Sequence, residues 1–289
     1  MFEMLCAIPS PCGGEDIAKK YIMQKFPEAK EDALGNLVLK KGGNGKKIML
    51  FASLDEDAAV AMEIENNGKK VHFAHLGKKK VFPGQSVSFG GYTGIVCSDG
   101  DNPEKNQYIT LVDCKEGIEK GRCGVFEADA EGDLSDENST YLAKNAANRA
   151  AISAMLKDFS TENEVYLVFG VQSNHRDKGL VSAIETINPD EVILFEETER
   201  EKFSIKLFGK GYSAGGEVSA KVEEVFSKCG IDFEKTADAK ADTKGIALPS
   251  GISCVVGIPV VFSDFIRQGI SVKTIYDLEK FIKCYLEEF

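Results

Sequence analysis

The chain has 289 residues, which at about 100–200 residues per domain fits one large domain or two smaller ones. Hydrophobic residues make up 43% and charged residues 28%, the composition of an ordinary globular protein, and the formal net charge is -11. This negative charge argues against nonspecific binding to nucleic acid or to an anionic membrane surface, so we expect neither as a partner.

The beginning of the chain and the cysteines bear on location. The first residues lack a basic region followed by an apolar one, so we expect no signal peptide. The longest apolar stretch, residues 254–262, is too short to span a bilayer. The eight cysteines are scattered and form no Cys-x-x-Cys pair, which argues against a zinc knuckle and favours reduced thiols. We therefore expect a cytoplasmic protein.

The first predicted elements are a helix and a hairpin. Residues 15–26 place apolar side chains at helical spacing, with glycines before them and a proline after them, which predicts a helix. Residues 36–40 and 47–52 are apolar runs separated by a Gly-Gly-Asn-Gly turn. This arrangement predicts a β-hairpin that leads into a buried strand.

The pattern changes near residue 58. From there to residue 130, short strand-like runs are separated by Gly, Pro, Asn and Asp, and no long helical period occurs. A small all-β barrel or sandwich is the structure that this pattern predicts. The runs are residues 59–64, 70–75, 86–89, 94–97, 108–113 and 124–128.

After residue 134, helical segments alternate with apolar strands, which is typical of a largely parallel sheet covered on both faces. The predicted helices are residues 145–157, 179–186, 217–229 and 275–287, and the predicted strands are residues 164–171, 191–195, 203–208 and 253–262. We therefore predict a mixed, largely parallel α/β domain, residues 1–57 and 133–289, interrupted by a β-barrel-like domain, residues 58–132.

Short motifs occur in a characteristic order along the whole chain. They are Ile-Pro-Ser-Pro at residues 8–11, Asp-Ala-Leu-Gly-Asn-Leu at 32–37, Phe-Ala-Ser-Leu-Asp-Glu-Asp at 51–57, Lys-Asn-Ala-Ala-Asn-Arg at 144–149, Val-Gln-Ser-Asn-His-Arg-Asp-Lys-Gly at 171–179 and Gly-Ile-Pro at 257–259. Their order and spacing resemble those of the cytosolic dinuclear-zinc aminopeptidases. That family includes glutamyl, deblocking and tetrahedral aminopeptidases, and its members are also often named endoglucanases. The resemblance implies a zinc-exopeptidase-like α/β domain with an inserted β domain.

The resemblance also implies a site with two zinc ions, which activate a water molecule and bind the substrate. Imidazole and carboxylate groups supply the ligands in this family. Carried over by position, the first histidine ligand is Ser53 in this chain, and the bridging aspartate is Ala147. The aspartate beside the bridging position is Asn148.

The remaining positions of the family's site are altered too. The glutamate that acts as general base corresponds to Ser173, and the adjacent ligand glutamate corresponds to Asn174. The next aspartate ligand is Glu196, and the final histidine ligand falls at or near Asp264. Asp55 is retained, but its role in the family is to orient a histidine that this chain lacks.

Four carboxylate positions have become neutral together: Ala147, Asn148, Ser173 and Asn174. A pocket crowded with carboxylates needs metal charge to offset their repulsion and desolvation. Loss of the metal would favour this joint neutralisation, whereas a change of metal would exchange ligands for other ligands. We therefore expect no cofactor and no stoichiometric zinc. We expect zinc or cobalt to bind only if the chain is the metal-dependent hydrolase described as the second interpretation below.

Three interpretations of the function remain open. The favoured one is a non-catalytic relative that uses the fold for binding or assembly, with no aminopeptidase activity. The second is a weak or altered metal-dependent aminopeptidase or hydrolase that uses Asp55, Glu196 and Asp264. The third is a metal-free enzyme in the inherited cleft. The resemblance further implies a peptide or small-molecule ligand in that cleft and a homo-oligomer. We predict that Cys12 and Cys254, near the expected site, are buried and unreactive.

Overall fold

The computed structural model describes the whole chain except residues 66–68, 101, 103, 105, 113–116, 175–176, 210–211, 239–248, 250 and 263–264. The first part contains two helices and three strands: α1 (Phe2–Ala7), α2 (Asp16–Lys25), β1 (Lys30–Glu31), β2 (Leu37–Gly42) and β3 (Lys47–Ser53).

Six strands then close into a barrel. They are β4 (Ala58–Glu65), β5 (Lys70–Leu76), β6 (Ser86–Ser88), β7 (Thr93–Ser98), β8 (Gln107–Leu111) and β9 (Cys123–Phe126). The strand order is β4-β5-β8-β7-β6-β9, every neighbouring pair is antiparallel, and buried apolar side chains such as Phe89 and Ile109 fill the interior. The predicted all-β unit is thus a closed barrel. The division into two domains after residues 57 and 132 stays a prediction.

The rest of the chain returns to alternating strands and helices. These elements are β10 (Thr140–Lys144), α3 (Ala146–Met155), β11 (Glu164–Gly170), α4 (Lys178–Ile187), β12 (Glu191–Thr198), β13 (Phe203–Gly209), β14 (Tyr212–Ser213), α5 (Gly216–Cys229), β15 (Phe233–Asp238), β16 (Ser253–Pro259), β17 (Arg267–Ser271) and α6 (Val272–Glu288). No helix in the described part of the chain is both long and apolar enough to cross a membrane.

The main sheet is mixed, with strand order β1-β2-β11-β3-β12-β16-β13-β14 and β15 paired with β13. The four central strands, β11, β3, β12 and β16, are parallel. Strands β2, β13 and β14 join their neighbours on this path antiparallel. The carboxyl ends of the central strands therefore meet at one side of the sheet, which we call the carboxyl edge. This is where ligands bind in open α/β sheets.

Apolar layers cover both faces of the sheet. Along β3, Ile48 and Leu50 pack in a core that includes residues of α3, α5 and α6, whereas Met49 and Phe51 pack with residues of α4. Successive strand residues point to opposite faces, so a continuous apolar run is the pattern expected of a strand buried on both sides. The predicted mixed α/β architecture is confirmed, with its parallel character concentrated in the centre of the sheet.

The predicted hairpin of residues 36–52 is wrong. Strand β11 lies between β2 and β3, antiparallel to the first and parallel to the second. The glycine-rich turn binds the loop before β11 instead. The N–H groups of Gly43 and Gly45 donate to the carbonyl oxygens of Asn163 and Glu162, both at 2.9 Å. A turn of this composition favours a hairpin locally, but the better-buried β11 takes the central position.

A buried guanidinium joins α3 to the segment after β3. Arg149 is 1% exposed, and its Nη1 donates to the carbonyl oxygen of Leu54 at 3.0 Å. Its Nη2 donates to Ser10 Oγ at 2.5 Å, and that hydroxyl donates to the same Leu54 oxygen at 2.6 Å. Arg149 therefore holds three separate parts of the chain together.

We predict that Arg149→Ala lowers the free energy of unfolding by about 2–4 kcal/mol, because it leaves buried oxygens with fewer donors and removes packing. Chemical denaturation measures this change. The matched control is Arg200→Ala, because Arg200 is half-exposed and pairs with Glu234 at 2.9 Å. An exposed pair of this kind contributes ~1 kcal/mol or less. If the free energy of unfolding fell equally in Arg149→Ala and Arg200→Ala, the Arg149 contacts would not be a main source of stability.

Candidate functional site

Residues 54–57 carry the chain from β3 into the barrel, and we call this segment the junction. All four residues, Leu54, Asp55, Glu56 and Asp57, are buried. Three of them carry carboxylates at the carboxyl edge of the sheet, where β3 ends. Buried carboxylates require hydrogen-bond donors or cations, so their partners define the chemistry of the site.

Asp55 binds the turn that follows β11. Its Oδ1 accepts the backbone N–H of Ser173 at 2.9 Å, and its Oδ2 accepts the N–H of Asn174 at 2.8 Å. The Asp55 carbonyl oxygen accepts from Asn145 Nδ2 at 3.0 Å. Asp55, which is retained from the family motif, therefore orients backbone here in place of a histidine.

The other two junction carboxylates are also bound. Glu56 Oε1 accepts the backbone N–H of Ser10 at 2.8 Å and lies 3.3 Å from Lys144 Nζ. Asp57 Oδ2 lies 2.9 Å from His75 Nε2 and accepts the backbone N–H of Lys79 at 2.9 Å. These bonds connect the junction to the N-terminal segment, to β10 and to the barrel.

Three of the predicted site residues, Ser53, Ala147 and Asn148, carry neutral side chains. Ser53 ends β3, and its backbone N–H donates to Asn148 Oδ1 at 3.2 Å. Asn148 Nδ2 donates to Asn145 Oδ1 at 2.7 Å. Ala147, at the bridging position of the family's site, is fully buried and offers only a methyl group.

The turn after β11 supplies Ser173 and Asn174. Their backbone N–H groups face Asp55, as described above. Ser173 is buried, and its hydroxyl has no hydrogen-bond partner among the described residues. The turn begins with Gln172, whose backbone is in the left-handed region at φ 51°, a conformation that non-glycine residues seldom adopt.

Glu196 lies in the last part of β12, with its side chain 12% exposed. Its Oε2 lies 3.1 Å from Nζ of Lys206, which comes from β13. The neighbouring Glu197 contacts Lys79 from the barrel and the side-chain amide of Gln268. Lysines therefore accompany the acids at this end of β12. Sequence reasoning missed Lys206, because nothing in its local pattern points to the site.

Asp264, the predicted position of the final ligand, lies outside the described residues, as does His175.

A thiol and two carboxylates form a second cluster beside the same turn. The ligand atoms of Cys12, Glu15 and Asp55 all lie within 4.8 Å of one another, and all three residues are buried. Glu15 Oε1 accepts the backbone N–H groups of Gly13 at 2.9 Å and Gln172 at 3.0 Å. Glu15 was not predicted as a site residue. Its position at the start of a predicted helix gives no sign of this contact.

Burial shifts the ionisation of this cluster. Desolvation raises the pKa of the Glu15 carboxyl, while the two backbone donors oppose that rise. Desolvation, followed by the charge of Asp55, raises the pKa of the Cys12 thiol. Burial likewise raises the pKa of Cys254 to about 12. Both cysteines are buried, as the sequence predicted, and both hold their protons at neutral pH.

Comparisons with known proteins agree with this architecture. No protein-family model matches the chain. A protein of Acetivibrio thermocellus named "Putative aminopeptidase" is 28% identical over 225 residues, which are 68% of this chain and 66% of that protein. The TET aminopeptidase of a marine-sediment Thaumarchaeota archaeon superposes with a TM-score of 0.86 at 16% identity, covering 99% of this chain and 95% of that one.

The TET1 peptidase of Pyrococcus horikoshii superposes with a TM-score of 0.81 at 17% identity, covering 98% of this chain and 97% of that one. It is described as able to assemble into a tetrahedron or a large octahedral shell. The chain therefore shares the overall fold of these aminopeptidases. The chain resembles the dinuclear-zinc aminopeptidase family in sequence and in fold, as its motifs predicted.

We predict that Glu15→Gln raises the free energy of unfolding at neutral pH, because the amide oxygen can accept both backbone N–H groups while the buried charge beside Asp55 is removed. A raised pKa in the folded state means that stability is lost as pH rises from the ordinary glutamate pKa through the folded value. The gain from Glu15→Gln should therefore be smallest at acidic pH and largest at neutral pH.

Denaturation midpoints of the unaltered chain and of Glu15→Gln, from acidic to neutral pH, measure the effect. Glu28→Gln is the control, because Glu28 is exposed. A gain in stability that does not depend on pH, or an equal gain in Glu28→Gln, would show that the buried charge of Glu15 does not destabilise the folded chain.

Proposed function

We propose that the chain is a non-catalytic relative of the dinuclear-zinc aminopeptidases that binds peptides at the carboxyl edge and assembles with itself. The observation that carries this proposal is the pairing of Glu196 with Lys206. Glu196 is the one carboxylate among the described ligand positions, and an ammonium group of the same chain lies against it.

The residues present do not fit two zinc ions. Such a centre takes neutral imidazole and carboxylate ligands. Ser53, Ala147 and Asn174 offer neither group. At Glu196, a zinc ion would have to bind a carboxylate whose Oε2 already lies 3.1 Å from the ammonium of Lys206. The repulsion between two cations in a partly buried site opposes this arrangement.

The retention of Asp55 is explained without a metal. Each of its oxygens accepts a backbone N–H from the turn after β11, so both oxygens have protein donors. The same reasoning applies to Glu15 in the cluster with Cys12. Two backbone donors already bind its Oε1, and the Cys12 thiol keeps its proton. The carboxylates of this cluster therefore already have donors without a metal.

Among the described residues, the position of the family's general base does not supply a base for amide hydrolysis. The position of the family's general base is Ser173, and an unassisted hydroxyl neither takes a proton near neutral pH nor attacks an amide. Asp55 faces backbone donors. Binding without cleavage is therefore the function that the described groups support best. We infer a peptide as the ligand, because the relatives are named as peptidases and the carboxyl edge is the usual ligand position in such sheets.

We predict no hydrolysis of peptide or chromogenic amide substrates above background, with or without zinc, cobalt or manganese. A metal lowers the pKa of bound water from 15.7 to ~7, and a site without the metal lacks that source of hydroxide. The assay is run beside Asp55→Ala. Turnover that a metal raises and Asp55→Ala abolishes would support the altered metal-dependent hydrolase instead. Metal-independent turnover would support the metal-free enzyme.

We also predict self-association at micromolar concentration, because relatives with this fold assemble, among them the Pyrococcus horikoshii TET1 peptidase. Light scattering coupled to size exclusion should give a mass that is a multiple of 31.5 kDa. A monomer across the accessible concentration range would contradict the assembly part of the proposal and leave peptide binding to be tested separately.

A further inference from the structure

Two cysteines face each other where α5 packs on α6. Cys229 is the last residue of α5 and is buried, and Cys284 lies in α6 and is half-buried. Both thiols are free, and their side chains form a hydrogen bond with each other. A solvent-accessible cysteine with a second cysteine beside it is the arrangement found in thiols that respond to oxidants.

A stacked pair of rings precedes the thiols by one turn on each helix. Phe226 of α5 and Phe281 of α6 stack with their centroids 4.4 Å apart. Cys229 follows Phe226 by three residues, and Cys284 follows Phe281 by three residues. Residues three apart are neighbours on one side of a helix, so the contact between the rings continues into the contact between the thiols.

Polar contacts on either side of Cys284 hold the pair in register. Lys280, one turn before Cys284, donates from Nζ to the carbonyl oxygen of Cys229 at 2.7 Å. Glu288, one turn after Cys284, pairs with Lys228 of α5. The end of α5 is therefore bound to α6 both before and after the position of Cys284, which places the two thiols opposite each other.

The two thiols differ in access and in ionisation. Burial, followed by the hydrogen bond to Cys284, raises the pKa of Cys229 to about 11, and the charge of Lys280 opposes this rise. Cys229 therefore keeps its proton at neutral pH. Cys284 is the more exposed thiol, so a small oxidant reaches it first, with Cys229 beside it as the second thiol of a disulfide.

We propose that Cys229 and Cys284 are a redox-modification site at which hydrogen peroxide forms a disulfide between α5 and α6. The Cys284 sulfur attacks the O–O bond, which gives a sulfenic acid and releases one water molecule. The Cys229 sulfur then displaces the hydroxyl group of the sulfenic acid, which leaves as water with the thiol proton. Two thiols thus lose two electrons, and the peroxide is reduced to two water molecules. Neither cysteine belongs to the candidate site, so the proposal goes beyond the proposed function.

The disulfide should stabilise the chain. It closes a loop that includes β15, β16 and β17, and such a loop restricts the unfolded chain. We expect the thermal denaturation midpoint to rise by roughly 5–10 °C on oxidation, and dithiothreitol should reverse the rise.

Mass spectrometry of the oxidised full-length chain tests the proposal. The chain is treated with about one equivalent of hydrogen peroxide, its remaining thiols are blocked, and it is digested without reduction. We expect a cross-linked pair of peptides that contain Cys229 and Cys284. The number of free thiols should fall by two from the eight of the reduced chain.

Variants assign the roles of the two thiols. Cys284→Ala should abolish the cross-link and the rise in the denaturation midpoint, whereas Cys97→Ala, at another half-buried thiol, should leave both unchanged. Cys229→Ala removes the second thiol, so the sulfenic acid at Cys284 should persist and react with dimedone. Cooperative unfolding of the reduced variants shows that each is folded.

Three results would overturn the proposal. The first is a disulfide between other cysteines, and the second is oxidation of Cys284 to a sulfinic acid with no cross-link. The third is a cross-link between Cys229 and Cys284 that forms as fast in denaturant as in the folded chain, because the folded contact would then not bring the thiols together. Peptide binding and hydrolysis are measured separately and do not depend on these results.

Discussion

The buried polar groups of the junction are the constraint on which the rest of the structure depends. Here the chain leaves a sheet covered on both faces and enters a barrel, so four consecutive residues lose contact with water. Each has polar partners from another part of the chain: Arg149 and Ser10 for Leu54, the turn after β11 for Asp55, Lys144 for Glu56, and His75 for Asp57. Unsatisfied polar groups at this depth would cost about 1–3 kcal/mol each, so the bonds fix how helix, turn and barrel meet the sheet.

The acidic residues of the junction thus have a structural role in this chain, which differs from the metal-dependent chemistry of the family that the motif resembles. Of the three acids at the end of β3, the resemblance gives a role near the metal ions only to Asp55, which would orient a histidine. In the structure, Asp55 binds backbone N–H groups, and Glu56 and Asp57 bind basic side chains as well as backbone. The carboxylates of the junction therefore have structural partners. Of the described residues at the positions that the resemblance assigns to metal ligands, Ser53, Ala147 and Asn174 carry neutral side chains, and Glu196 carries a carboxylate that is paired with Lys206.

The sequence predicted the barrel and the central strands, because the apolar patterns and turn residues that mark strands are local signals. It could not predict contacts that depend on which strands become neighbours. The predicted hairpin was wrong because β11 lies between β2 and β3. The pair Glu196–Lys206 depends on β13 folding beside β16, and the cluster of Cys12, Glu15 and Asp55 joins three distant segments. Strand β15 was missed as well, because its sequence, Phe-Glu-Lys-Thr-Ala-Asp, lacks a continuous apolar run.

Elemental analysis of the chain purified without added metal tests the central claim most directly. The claim is that the acids of this site are held by the protein's own donors and cations. It predicts a zinc content far below one ion per chain, unchanged in Asp55→Ala and Glu196→Ala. About two zinc ions per chain, as in two-metal sites, with a loss in either variant, would contradict it.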